Sequence, residues 1–208
     1  MIHDEIRDIP PEKTVTYACI VVDYWPQKSN PNRARLTVGG NLLNVPGYLS
    51  TTTSHLTTSK ILWNSVLSTK YARFAWIDIK NMYLQTPMTD YKYMWIPCHL
   101  VPQEFIDEYA LESKIHKGFF YCEIRKGIYG LPQSGKLANT LLKQRLATCG
   151  YIECMNTPGL WRNIFRPVQF TLVVDYFGVK FVGVKQLRHI VESLKKFYEI
   201  VLDPTGSK

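Results

Sequence analysis

The chain has 208 residues, of which 46% are hydrophobic and 20% are charged, and its formal net charge is +8. This length and composition predict one large or two small globular domains and exclude an intrinsically disordered chain. The excess of Lys and Arg favours nucleic acid as a partner, although basic proteins of other classes share it.

The sequence carries no pattern typical of a membrane or export protein. Its apolar runs are shorter than a membrane span, and residues 1–5 are too polar for a signal peptide. The five cysteines include no CxxC pair, and no His or Cys completes a zinc set. We therefore expect reduced, mostly buried thiols in an intracellular protein of the cytoplasm or nucleus that does not bind membranes.

The start of the chain predicts a hairpin with a basic tip. An apolar run over 17–24 indicates a buried strand, a turn-forming loop follows at 26–32, and residues 33–38 alternate until two glycines. The elements predicted after it are a helix over 57–69 behind a Thr cap, a strand ending at Asp78, a strand over 93–97, a helix over 102–109, a strand over 118–125, a helix capped by Ser134 and stopped by Gly150, a hairpin over 170–174 and 179–182, and a helix over 187–197. Their irregular alternation favours an α+β fold with an antiparallel core.

A lone aspartate ends each of two apolar runs. Residues 74–77 lead into Asp78, and residues 170–174 lead into Asp175 at the tip of the second predicted hairpin. A carboxylate at the end of a buried strand is unfavourable unless a metal, a ligand or water compensates it. Two such carboxylates could share a Mg²⁺ cluster, as phosphoryl or nucleotidyl transfer requires. Each could also be an ordinary turn aspartate.

Aromatic and basic residues offer contacts for a nucleotide. Tyr83 stands five residues after Asp78. If the backbone after Asp78 passes beneath an incoming nucleotide, the Tyr83 ring could block a ribose 2′-hydroxyl. Otherwise Tyr83 could be an ordinary core residue. Lys28, Arg33 and Arg35 in the basic hairpin could meet a triphosphate or a template backbone, or form only a solvated surface.

The glycine-punctuated loop 127–135 permits a different interpretation. Residues 130–136 match the Gly-x-x-x-x-Gly-Lys part of a phosphate-binding loop, but Leu137 replaces the Ser or Thr that contacts Mg²⁺. Pro132 also removes a backbone N–H from a loop type that binds phosphate through its N–H groups. A P-loop nucleotidase is therefore the weakest of the functional hypotheses.

Four segments in order resemble the reverse transcriptase domain of copia-type LTR retrotransposons. They are residues 33–36, 78–88, 126–133 and 170–175, and the resemblance covers nearly the whole chain. It implies an RNA-directed DNA polymerase within a retrotransposon polyprotein. The implied partners are an RNA or DNA primer–template, deoxynucleoside triphosphates and other polyprotein segments such as the thumb, RNase H and integrase.

The resemblance also implies a right-hand polymerase architecture. The fingers would comprise roughly residues 1–70 and 86–133, and an antiparallel palm would comprise roughly residues 71–85 and 134–208.

The same resemblance assigns roles to individual residues. Asp78 and Asp175 match catalytic aspartates that hold two Mg²⁺ ions, with the Ile79 carbonyl as a further ligand. Tyr83 matches the aromatic residue that excludes ribonucleotides, and Gln133 matches a glutamine that contacts the incoming nucleotide. The basic residues in the finger region, any of which could contact substrate, are Lys28, Arg33 and Arg35.

Two departures from the family pattern bear on activity. The second of the paired aspartates is Tyr176 here, which removes one anionic metal ligand. The chain also stops at residues 206–208, before the thumb and RNase H region would follow. We therefore expect weak or absent polymerisation, and we keep a second hypothesis, an inactive retroelement relic that at most binds nucleic acid.

Overall fold

Two β-sheets and four α-helices form over residues 2–3, 8–27 and 30–206, which the computed structural model describes. The predicted α+β class is confirmed. Within this part of the chain, none of the helices is both long and apolar enough to cross a membrane. In chain order the elements are β1 Ile2–His3, β2 Val15–Tyr24, β3 Asn32–Val38, α1 Leu56–Asn64, β4 Ala72–Ile79, β5 Pro87–Pro97, α2 Gln103–Glu108, β6 Phe119–Lys126, α3 Ser134–Ala147, β7 Tyr151–Glu153, β8 Leu160–Asn163, β9 Val168–Val173, β10 Tyr176–Val182, α4 Val184–Lys195 and β11 Ile200–Asp203.

The chain divides into two compact units, and the first comprises Met1–Leu49 and Tyr83–Leu137. Its sheet has the strand order β1-β6-β5-β2-β3, in which β2 pairs parallel with β5 and the other neighbours pair antiparallel. The predicted hairpin is formed by β2 and β3, but the prediction that 17–24 is a buried strand is wrong, because Ile20, Val21 and Val22 are exposed. The core of this unit is a cluster of Ala18, Val38, Leu43, Met88, Met94, Ile106, Leu111, Phe120, Cys122, Ile124, Ile128 and Leu131.

The second unit comprises Ser50–Met82 and Ala138–Lys208, so the division falls within α3. Its sheet has the order β11-β4-β10-β9-β8-β7, and all neighbouring strands are antiparallel. Apart from α1 and the short β7 and β8, the order β4, α3, β9, β10, α4, β11 is a β-α-β-β-α-β arrangement. As a result, β4 and the β9–β10 hairpin, which carry the two candidate aspartates, are neighbours.

One face of the second sheet forms an aromatic core. Phe170 and Phe177 are fully buried with ring centroids 5.1 Å apart, and Trp161 stacks on Phe170 at 5.6 Å. Burial of each side chain of this size stabilises the folded state by about 1.5–3 kcal/mol. The helix α4 contacts β10 and β11. The apolar residues whose spacing predicted this helix are buried, namely Leu187, Ile190, Val191 and Leu194.

The helix predicted over 57–69 is shorter than expected. It ends at Asn64, and no side-chain hydrogen bond caps its start. Beyond the helix, Ser65 Oγ donates to the Leu62 carbonyl and Thr69 Oγ1 donates to the Ser65 carbonyl. Because such bonds compete with the i→i−4 bonds of a helix, the chain turns after Asn64.

The unit boundaries differ from the predicted fingers and palm ranges in three places. Residues 50–70, in the predicted fingers range, belong to the second unit, and residues 83–85 and 134–137, in the predicted palm range, belong to the first. The backbone N–H of Ser54 donates to the Leu172 carbonyl at 3.0 Å, and Lys180 Nζ donates to the Ser65 hydroxyl at 2.8 Å. Hydrogen bonds to β9 and β10 therefore hold residues 50–70 on the second sheet.

The cysteines are all free, but the expectation that most are buried is wrong. Cys122 is buried, and the other four are half-buried. Burial raises the pKa of the Cys122 thiol to about 11. At about pH 8 its reactive thiolate is about 100-fold scarcer than that of a thiol with a pKa near 9.

We therefore expect a thiol reagent such as DTNB to modify Cys122 last in the folded protein. The Cys122→Ala variant should lose only the slowest phase of the reaction. Loss of a fast-reacting thiol from this variant would contradict the burial of Cys122.

Candidate functional site

Asp78 lies near the end of β4, an interior strand of the second sheet. Its neighbours Ile77 and Ile79 are fully buried, whereas Asp78 is half-buried. Because successive side chains of a strand point to opposite faces, the isoleucines anchor the strand in the core and direct the carboxylate to the other face. The cross-strand partners of Asp78 are Tyr176 on β10 and Val201 on β11.

Asp175 lies in the two-residue turn that joins β9 to β10. Val173 and Tyr176 pair across this turn, and Val174 within it has a φ of 59°. Positive φ is rare for a β-branched residue, and such strain costs on the order of 1–3 kcal/mol. The backbone N–H of Ile79 donates to the Asp175 carbonyl at 3.1 Å. The strained turn is therefore fastened to the end of β4.

These contacts bring the predicted metal-binding residues Asp78, Ile79 and Asp175 to adjacent strand ends. Carboxylate and carbonyl oxygens are the ligands that Mg²⁺ prefers, and Mg²⁺ commonly uses one or two carboxylates while keeping several waters. The residues present therefore fit a Mg²⁺ ion. Among the residues that the structure describes, no group of three or more His, Cys, Asp or Glu side chains could hold a metal.

Tyr176 occupies the position at which the family pattern has a second aspartate. It lies directly across from Asp78, on the same face of the sheet, and is 51% exposed. A phenol is neutral near pH 7, so it does not replace the charge of a carboxylate. Its exposed ring could instead stack on a nucleic-acid base.

A second set of candidate residues lies in the first unit, around Tyr129. The rings of Tyr83 and Tyr129 meet edge to face with centroids 5.3 Å apart, and the Arg35 guanidinium lies 5.1 Å from the Tyr129 centroid. We predicted Tyr83 in the palm range, but it belongs to this unit. Sequence reasoning missed Tyr129, although it lies in the same glycine-punctuated loop as Gln133. Planar rings beside a cation suit a planar or anionic ligand.

The loop lies very close to β3 at Tyr129 and Gly130. The N–H of Val38 donates to the Tyr129 carbonyl at 2.9 Å. Gly130 has a φ of 90°, and a Cβ at this position would lie 2.0 Å from the Val38 carbonyl oxygen. The approach of Gly40 to Gly130 is equally close, because a Cβ on Gly40 would lie 2.1 Å from the Gly130 carbonyl oxygen. The approach is so close that it needs glycine at both positions.

Gln133 ends the loop as a buried polar residue. It is only 7% exposed, and within the described part of the chain its Oε1 has no hydrogen-bond partner. The hydroxyl of Ser134 bonds to the backbone N–H and carbonyl of Ile128, which closes the loop at the start of α3. A buried acceptor without a donor costs about 1–3 kcal/mol. Gln133 is therefore a candidate to accept a hydrogen bond from a ligand.

The basic candidates differ in their surroundings. Arg35 is half-buried beside the Tyr129 ring, whereas Arg33 is exposed and lies across from Asp23 on β2. Arg35 is therefore the better candidate for a triphosphate contact. Lys28 lies outside the described residues.

The strand arrangement does not favour the P-loop hypothesis. A phosphate-binding loop would need a Walker B strand, and the apolar run of β9 that leads into Asp175 could supply one. However, β9 and β6, the strand before the glycine-punctuated loop, belong to different sheets. The strand β6 also pairs antiparallel with both its neighbours. The Nζ of Lys136, which would have to reach phosphate, donates to the Tyr48 carbonyl at 3.0 Å.

Comparisons with known proteins give no assignment. No protein-family model matches the chain, and no curated protein matches it. The functional interpretation therefore depends on the two residue sets, which are Asp78, Ile79, Asp175 and Tyr176 in the second unit and Arg35, Tyr83, Tyr129 and Gln133 in the first.

Proposed function

We propose that this chain is the fingers–palm part of a copia-type reverse transcriptase in which Tyr176 weakens nucleotidyl transfer. The observation that carries the proposal is the bond between Ile79 N–H and the Asp175 carbonyl, which fastens the strained turn beside Asp78. Backbone strain held in place by its surroundings is common at functional sites. An antiparallel sheet with both aspartates at adjacent strand ends also agrees with what the resemblance implies for a palm.

In this proposal the carboxylates of Asp78 and Asp175, together with the Ile79 carbonyl, would hold Mg²⁺. When bound, the ion would supply positive charge for activating the primer 3′-hydroxyl and for stabilising the leaving pyrophosphate. The contribution of the protein would be positional, because the bond from the Ile79 N–H to the Asp175 carbonyl fixes the turn beside Asp78.

The residue set around Tyr129 would bind the incoming nucleotide. The guanidinium of Arg35 would donate to phosphate oxygens, since charge-assisted hydrogen bonds from arginine suit phosphate geometry. Tyr83 would present its ring to the sugar, and Gln133 would accept a hydrogen bond through its buried Oε1.

A second candidate function is nucleic-acid binding without catalysis. The observation that favours it is the exposed ring of Tyr176 across from Asp78. Such a ring adds a stacking surface and provides no metal-binding charge.

A metal-binding experiment tests the proposed function. We expect the chain to bind Mn²⁺, used as a paramagnetic substitute for Mg²⁺, and Asp78→Asn or Asp175→Asn to weaken that binding by at least about 10–100-fold. Loss even of residues that only support a metal ligand costs this much. Binding is measured from the loss of the free Mn²⁺ signal by electron paramagnetic resonance.

The matched control is Asp107→Asn, which removes the same charge from an exposed carboxylate on α2 in the first unit. This variant should bind Mn²⁺ as the unmodified chain does. If all three variants bind Mn²⁺ equally while the chain still binds a primer–template duplex, the second candidate function replaces the first.

A further inference from the structure

A row of polar side chains crosses three strands of the second sheet, away from the aspartate turn. Gln169 on β9 lies directly across from Arg162 on β8 and from Lys180 on β10. Directly opposite residues share a face, with Cβ atoms about 4.5–5.5 Å apart. The two cationic side chains therefore rise from one face of the sheet, on either side of an amide.

A third cationic residue, in the turn between β8 and β9, lines the same pocket. Arg166 lies in that turn, and the turn is held to the end of β10 because the Val182 N–H donates to the Pro167 carbonyl at 3.2 Å. Arg162, Arg166 and Lys180 line one pocket of about 300 Å³, together with Thr69, Asn163 and Gln169. Of the lining residues that the structure describes, none is acidic.

The positive charge of the pocket is not neutralised by an ion pair. Lys180 Nζ donates to the Ser65 carbonyl at 3.1 Å, the Ser65 hydroxyl at 2.8 Å and the Thr69 hydroxyl at 2.9 Å, all of which are neutral. One guanidinium nitrogen of Arg166 donates to Gln186 Oε1 at 3.2 Å. Within the described part of the chain, no ion pair involves these two residues or Arg162.

We propose that Arg162 and Arg166, assisted by the positive charge of Lys180, form a phosphate-binding pocket, separate from the Asp78–Asp175 site. Arginine binds phosphate oxygens through two parallel N–H groups. All three N–H donors of the Lys180 ammonium bond to Ser65 and Thr69, so Lys180 contributes charge and no direct hydrogen bond to the anion. Lys180 lies four residues along β10 from Tyr176, which is about 13 Å at the rise of a strand. The pocket therefore does not share ligands with the aspartate turn.

The size of the pocket limits what it can hold. Its volume of about 300 Å³ lies at the lower end of the range for ligand pockets. The space suits one phosphate group with some water, so the rest of a larger ligand would remain outside. The phosphate could belong to a nucleic-acid backbone or to a small phosphorylated molecule, and the experiment separates these sources.

His189 provides a reporter for occupancy. Desolvation, followed by the positive charges of Arg166 and Lys196, lowers the pKa of His189, while Glu192 acts in the opposite direction. The ring is held in place because its Nδ1 bonds to the hydroxyl of Tyr151 at 2.9 Å. An anion bound at Arg166 should therefore raise the pKa of His189.

The experiment is an NMR titration of the full chain with inorganic phosphate at constant ionic strength, read at the His189 ring protons. We expect saturable shifts and a higher His189 pKa in the presence of phosphate. The double variant Arg162→Gln/Arg166→Gln should weaken phosphate binding at least tenfold. The matched control, Arg188→Gln/Lys195→Gln, removes two charges from exposed positions on α4 outside the pocket and should change binding less than twofold.

A second arm repeats the titration with the oligonucleotide dT8. A loss of dT8 affinity in the pocket variant but not in the control assigns the phosphate to nucleic acid. Unchanged dT8 affinity, with weakened binding of inorganic phosphate, assigns it to a small phosphorylated ligand.

The proposal is overturned if the unmodified chain shows no saturable phosphate binding. Equal weakening in the pocket and control variants would also overturn it, because the effect would then be general charge screening. Thermal melts and backbone spectra of both variants verify folding. Mn²⁺ binding at Asp78 and Asp175 should not change in either variant, so failure here is distinguishable from failure of the polymerase proposal.

Discussion

Tyr176→Asp should raise Mg²⁺-dependent incorporation of dTTP on a poly(rA)–oligo(dT) template by about 10²–10³-fold when the chain is joined to a polymerase thumb, and should recover little in the chain alone. The substitution places a third carboxylate across from Asp78, on the same face of the sheet. A single electrostatic contribution to the transition state is commonly worth this factor in rate. Incorporation of labelled dTTP is measured with Mg²⁺ and with Mn²⁺, for the chain alone and for the chain joined to a polymerase thumb, which should improve the positioning of the primer.

Two companion substitutions show whether charge is responsible. Tyr176→Asn removes the ring without adding charge, so it should leave incorporation near the starting level. Adding Asp175→Asn to Tyr176→Asp should abolish the gain. Robust incorporation by the unmodified chain that Asp175→Asn abolishes would contradict the prediction, since a paired aspartate would then be dispensable.

Gly130→Ala should destabilise the first unit by about 2–5 kcal/mol and displace the loop that carries Tyr129 and Gln133. A left-handed φ costs an alanine about 1–2 kcal/mol, and overpacking adds about 1–3 kcal/mol. The added Cβ would lie 2.0 Å from the Val38 carbonyl oxygen, which belongs to the backbone and cannot rotate away. Native-state hydrogen exchange of the β2 and β5 amides measures the opening free energy of this unit.

Gly118→Ala is the control for the left-handed conformation. Gly118 has a φ of 84°, but no atom of the described residues lies within 4 Å of a Cβ added there. This variant should therefore lose only about 1–2 kcal/mol. Equal losses in both variants would mean that the contact between Gly130 and β3 contributes nothing beyond backbone strain.

The sequence by itself determined the elements that have strong local periodicity. The 3.6-residue spacing of Leu187, Ile190 and Leu194 predicted α4, and all three residues are buried. Apolar runs likewise predicted β4 and the β9–β10 hairpin, with Asp78 and Asp175 near their ends. Such patterns are readable because they depend only on neighbours within one element.

The tertiary structure alone decided the short strands and the grouping of the site residues. The strands β1, β7, β8 and β11 have two to four residues each, too few for a detectable period, and they form because longer strands offer them partners. The contact of Tyr129 with Tyr83 and Arg35 joins three separate segments of the chain.

The row of Arg162, Gln169 and Lys180 shows why such a grouping cannot be predicted from the sequence. In the sequence these residues are an unremarkable arginine, glutamine and lysine separated by 7 and 11 positions. They share a face because the register of β8, β9 and β10 places them opposite one another. A shift of one residue in that register would send a strand's side chains to the other face. Register is set by the burial of Trp161, Phe170 and Val179 on the opposite face, a cooperative property of the packed sheet.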